Sequence, residues 1–94
     1  MPPTDVLQIA FERVLAKVTE ASKPSYRDAW MRWRALERSE PAQWKPALIE
    51  SLYEKLMVEF RPATVRLTFT VAKRVWREAQ VMGKVAEEAP YPFR

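Results

Sequence analysis

Cysteine and histidine are both absent from this 94-residue chain, and glycine occurs once. Without cysteine there is no disulfide and no thiolate metal site. Without histidine the chain lacks the commonest general base and the other main zinc ligand. No apolar run approaches the ~20 residues that span a bilayer. The opening residues, Met1-Pro2-Pro3-Thr4-Asp5, have neither the basic start nor the apolar stretch of a signal peptide. The sequence also shows no metal-ligand cluster, phosphate-binding loop or nucleophile–base pair. These absences lead us to expect a cytoplasmic protein with no cofactor, no membrane span and no catalysis of its own.

What is present is a chain 48% apolar, with four Trp, four Phe and three Tyr to fill a small core. That composition is ordinary for a globular domain, and either half alone would be too small to bury a useful core. Most of the eight prolines stand in short punctuating groups. With glycine so scarce, this pattern fits helices joined by brief turns and not a sheet with many tight corners.

Four helices are expected. Thr4 or Asp5 caps the first, over 4–21, with Gln8 as the capping-box partner of Asp5. Leu7, Phe11, Val14 and Val18 line its apolar face. The second spans 22–39, capped by Ser22 with Pro24 in its first turn. Its inward residues are Tyr26, Ala29, Trp30, Trp33 and Leu36, and Ser39-Glu40-Pro41 ends it. The third starts near Trp44-Lys45-Pro46, ends at 60, and turns Leu48, Ile49, Leu52, Leu56 and Phe60 inward. Arg61-Pro62-Ala63-Thr64 opens the fourth, over 62–82, with Val65, Phe69, Ala72, Trp76 and Ala79 buried. Gly83 follows at the position where a left-handed residue closes a helix. The remaining residues, with two Pro and two Glu, read as a linker or tail.

The net charge of +4 is unevenly distributed. Residues 4–21 carry a net −1 and residues 40–60 a net −2, whereas 22–39 carry +3 and 61–84 carry +5. At ~100° per residue, Arg66, Thr70, Lys73, Arg77, Gln80 and Lys84 share a sector of roughly 80° that contains no apolar side chain. Lys23, Arg27, Arg34 and Arg38 form a similar stripe on the second helix, interrupted only by Met31. Charged helix faces are ordinarily solvated sides that mix both signs. These two hold no acid, and two such stripes suit a phosphate-lined partner. Trp30, Trp33 and Trp76 lie on apolar faces, so core packing explains them better than base stacking.

Two stretches carry a family resemblance. Ser22-Lys23-Pro24-Ser25-Tyr26-Arg27-Asp28-Ala29-Trp30 is the first, with Trp33 beyond it. The second begins at Arg61-Pro62-Ala63-Thr64-Val65-Arg66-Leu67, passes Trp76-Arg77-Glu78-Ala79 and reaches Met82-Gly83-Lys84-Val85. In order and spacing these resemble the N-terminal core-binding domain of tyrosine recombinases of the phage integrase type. An Asn-Pro that commonly follows in the family is replaced by Ala89-Pro90 at a longer spacing. The resemblance implies an all-α, SAM-like orthogonal bundle of four helices over 1–86, with 87–94 leading toward a catalytic domain. It further implies that the second and fourth helices face duplex DNA at a crossover site, within a clamp completed by that catalytic domain and other recombinase protomers.

The expected DNA contacts are Ser22, Lys23, Arg27, Arg34, Arg38, Arg66, Thr70, Lys73, Arg74, Arg77 and Lys84. Their chemistry is phosphate neutralisation with counterion release, with an Arg-to-guanine contact as the likeliest base readout. Tyr26, Tyr53 and Tyr91 are not expected to be nucleophiles. Two rival readings are a basic helical module that binds an acidic protein, and a basic amphipathic helix lying on a membrane surface.

Overall fold

The computed structural model describes residues 6–93. Four α-helices make up the fold, with no strand among the described residues: α1 (Val6–Ala16), α2 (Lys23–Leu36), α3 (Pro46–Glu59) and α4 (Pro62–Val81). The all-α, four-helix expectation is met. The capping roles proposed for Thr4 and Asp5 lie outside the described residues.

Leu7, Ala10, Phe11 and Val14 form the buried stripe of α1, but the helix ends five residues before the expected boundary. Lys17 and Val18 bond three residues back, to Val14 and Leu15, which tightens and then stops the helix. The β-branched pair Val18-Thr19 follows, poor for helix continuation, and Thr19 is extended. A 3-10 turn, Glu20–Ser22, then runs directly into α2. Ser22 accordingly sits at the N-cap position with helical backbone angles and makes no side-chain cap. Its hydroxyl lies 3.0 Å from the Thr19 hydroxyl. The preceding turn does the capping, since the Lys23 N–H already bonds to Glu20 and Pro24 has no N–H to satisfy.

Tyr26, Ala29, Trp30 and Trp33 are buried on α2. Leu36, expected inside, is 39% exposed, because α2 ends there and the chain turns to extended backbone at Glu37. A 3-10 turn, Pro41–Gln43, leads to Trp44. Trp44 is buried, and its indole N–H donates to the Ser39 carbonyl at 3.1 Å. It thereby fastens the connection to the core. Helix α3 starts at Pro46 and buries Ile49, Leu52 and Leu56, while Leu48 and Phe60 are only partly covered.

Helix α4 is the hub. Both α1 and α2 pack extensively on it and touch each other far less. It buries Val71, Val75, Thr68 and Glu78 besides the five expected positions, so most of its circumference is covered. Thr68 is tolerated inside because its hydroxyl donates to the Thr64 carbonyl and accepts from Arg32 Nη1 at 2.8 Å. Gly83, at φ +78°, closes the helix as expected. Its N–H bonds to Gln80, and that of Lys84 reaches back to Ala79, the paired bonds of a Schellman stop.

The segment expected as a linker or tail returns to the bundle and adds side chains to the core. Val85, Pro92 and Phe93 are buried. The Phe93 ring lies about 6 Å from those of Trp33, Trp44 and Phe69, and Tyr91 meets Trp76 edge-on at 5.3 Å. Gln80 Nε2 donates to the carbonyls of Ala86 and Glu87, holding the returning chain against α4. A short bundle has little internal volume of its own, so aromatic side chains arriving from the C-terminal segment complete it.

Candidate nucleic-acid interface

The exposed strip of α4 is what remains after α1, α2, α3 and the C-terminal segment have covered the rest. On it Arg66, Arg74 and Arg77 are exposed and Thr70 and Lys73 half-buried, whereas Lys84, expected on the same helix face, is exposed beyond the Gly83 stop, where the helical spacing no longer holds. Among the described residues none of the five cations forms an ion pair. Thr70 donates its hydroxyl to the Arg66 carbonyl at 2.9 Å, leaving its oxygen, not its proton, for a partner.

Aromatic rings seat two of the arginines. The Arg77 guanidinium lies 4.3 Å from the Tyr91 ring centre and 5.3 Å from that of Trp76. Arg74 lies 5.7 Å over Tyr26 of α2. Such stacking holds a guanidinium in place without consuming its N–H donors, which stay available to an oxyanion.

On α2 the expected stripe divides. Arg27 is exposed on the helix, and Arg38, also exposed, lies past its end beyond the extended Glu37 and so off the expected stripe. Lys23 is bonded to Glu20 at 2.5 Å, and that bond holds the Glu20 carboxyl below its usual range. Arg34 is half-buried, with its guanidinium 5.8 Å over Trp30. The Arg74–Tyr26 contact brings the first turns of α2, where Arg27 stands, beside the middle of α4.

Counting charge by segment missed a second arrangement. Glu78, the one acid on α4, is only 6% exposed, and it accepts from Arg13 Nε at 2.6 Å and from Lys17 Nζ at 2.7 Å. Those two bonds, opposed by burial, hold its carboxyl below the ordinary 4.5. Arg13 of α1 and Lys17 just beyond it, both from the net-acidic stretch 4–21, thus reach the basic face of α4 and neutralise its only acid. Lys17, Lys73, Arg74, Arg77 and Glu78, with Val14, line an open hollow of about 290 Å³ at this junction. No α2 cation lines it.

A pH dependence follows from Glu78. Its folded carboxyl is more acidic than its unfolded one, so the stabilisation is present above about pH 4.5 and lost as pH falls through the folded value. Glu78→Gln is expected to cost on the order of 1–2 kcal/mol at pH 7, below the figure for a fully buried pair because both cations are half-exposed. In thermal melts the gap between wild type and variant should narrow below pH 4.5. A gap that stayed constant down to pH ~3 would contradict the pairing.

A second concavity runs between α3 and α4, floored by Ile49, Val65, Phe69 and Phe93. Glu50 and Glu54 stand on its α3 side, and Arg66 and Lys73 on its α4 side. Among the described residues no cluster of three or more acidic side chains is placed to hold a metal ion. No helix among them is long and apolar enough to cross a membrane. Comparison with known protein families, with curated proteins and with solved structures finds no match to this chain.

Proposed function

We propose that this chain is a duplex-DNA-binding domain of the kind its sequence resembles, the core-binding part of a phage-integrase-type tyrosine recombinase. In this reading it acts in the cytoplasm and performs no catalysis itself. It would grip DNA in partnership with a catalytic domain and, through that domain, with other recombinase protomers. The observation that supports it most is the exposed strip of α4. Arg66, Lys73, Arg74 and Arg77 stand there, with Lys84 just past the Gly83 stop; none has an acid partner among the described residues, and the acid of the same helix is occupied by Arg13 and Lys17. Solvated helix faces usually mix signs, whereas a face of one sign concentrates a field suited to a polyanion.

Fluorescence anisotropy with a labelled duplex tests this directly. Binding is expected to be weak and steeply salt-dependent. Four or five phosphate contacts give a slope of log K against log salt near −4, from about −0.9 per contact. Failure to bind at low salt, or binding that ignores salt, would defeat the reading. Capture of an acidic protein in place of DNA would then favour the interaction-module alternative.

A further inference from the structure

The hollow between α1 and α4 gathers four cations, Lys17, Lys73, Arg74 and Arg77, around a single carboxylate. We infer that this hollow takes a phosphate group, with Lys17, in the turn that ends α1, as a direct contact and Glu78 as a built-in competitor for it. The inference rests on the DNA reading and extends it to a segment that reading leaves out. By charge count residues 4–21 are net acidic, so nothing in that count assigns them a place on an anion-binding surface.

Three observations converge. First, the hollow is strongly positive after internal neutralisation. Lys73, Arg74 and Arg77 have no acid partner among the described residues, and Glu78 is shared by Lys17 and Arg13. Second, two of the cations are pre-positioned. Arg77 rests on Tyr91 and Arg74 on Tyr26, which lowers the entropy lost when their donors close on an oxyanion. Third, the Lys17 ammonium is held by its 2.7 Å bond to Glu78 while the side chain as a whole remains 63% exposed. It presents N–H donors to the hollow while one is satisfied from beneath. Phosphate oxygens reaching the hollow would compete with the Glu78 carboxylate for Lys17, so Glu78 weakens the site it helps to build.

The test compares charge-matched variants of the whole chain. Lys17→Ala should lower duplex affinity about three- to tenfold at low salt and reduce the salt slope by about 1, as loss of one phosphate contact does. Lys55→Ala, on exposed α3, removes the same charge and should lower affinity less than about twofold. Glu78→Gln should raise affinity by about threefold or more, and Glu40→Gln, at an exposed acid of the α2–α3 connection, should not. Lys17→Ala leaves Glu78 bonded to Arg13, so it remains informative even if Glu78→Gln unfolds. Circular dichroism confirms that each variant is folded. Equal losses from Lys17→Ala and Lys55→Ala would overturn the inference while leaving the DNA reading standing.

A separate titration with inorganic pyrophosphate, followed by NMR of the lysine and arginine side chains, reads the hollow without DNA. Shifts at Lys17 and Arg77 with no duplex binding by wild type would keep the hollow as a site for free phosphate and overturn the DNA reading. No shift there and no duplex binding would overturn both.

Discussion

Reversing Lys73 and Arg77 together to glutamate is expected to weaken duplex binding by about two to three orders of magnitude, with the salt slope falling by about 2. Both residues line the hollow at the α1–α4 junction, so each reversal removes a cation and places an acid against phosphate. The same change at Lys45 and Lys55 alters net charge identically but acts on exposed residues at and within α3. It should cost far less binding. If the two double variants lose affinity equally, net charge alone drives association and the α4 face has no special part. Stability will not be untouched. Arg77 leaves its seat over Tyr91, a loss of about 0.5–1 kcal/mol for an exposed cation–π contact, so melting curves belong beside the binding curves.

The largest expected loss of stability comes from Trp33→Ala. Trp33 is 1% exposed, and its ring meets those of Trp44, Phe69 and Phe93 at 5.1 to 6.1 Å. One side chain thereby joins α2, the α2–α3 connection, α4 and the C-terminal segment. Truncating a buried aromatic to alanine costs about 3–5 kcal/mol. A domain of this size has about 5–14 kcal/mol in all. Urea unfolding should find the variant barely folded or unfolded. Trp33→Phe should be much milder. It keeps a ring in the cluster and removes an indole N–H that finds no acceptor among the described residues, a group that itself costs about 1–3 kcal/mol when buried. A Trp33→Ala variant as stable as the substitution of exposed Met31 by alanine would refute this account of the core.

Much of the fold was legible because it repeats locally. Ile49, Leu52 and Leu56, or Val65, Phe69, Ala72 and Trp76, announce a helix face within a few residues of one another. Gly83 announces its stop through a backbone angle that other residues avoid. What stayed illegible depends on distance along the chain. Glu78 reads as surface in its own helix and is buried because Arg13, 65 residues earlier, arrives to pair with it. Thr68 is inside because Arg32 reaches it from α2. The packing of the C-terminal segment on the core was hidden behind its prolines and glutamates. Tyr91-Pro92-Phe93 was the available signal, since two aromatics so close together in a small domain seek a core. For the candidate interface, the α4 face was readable from spacing alone. The contribution of Arg13 and Lys17 was not, because segment charge says nothing about which face of α1 meets α4.

The position of α4 at the hub also sets a timetable for synthesis. Helices α1 and α2 have little to bury against except α4, and Arg13 waits for Glu78 across 65 residues of chain. At 5–20 residues per second, a ribosome needs about 3–13 s to deliver that partner. Phe11, Trp30 and Trp33 are all made within or before that interval, and although Phe11 and Trp30 can stack on each other, the α4 surface that covers them arrives only at its end. Local helix formation takes microseconds or less, so the early helices can come and go many times before the hub arrives. The nascent domain therefore commits late and nearly all at once, and the aromatic faces that make the finished core are its greatest exposure to mispairing while it is being made.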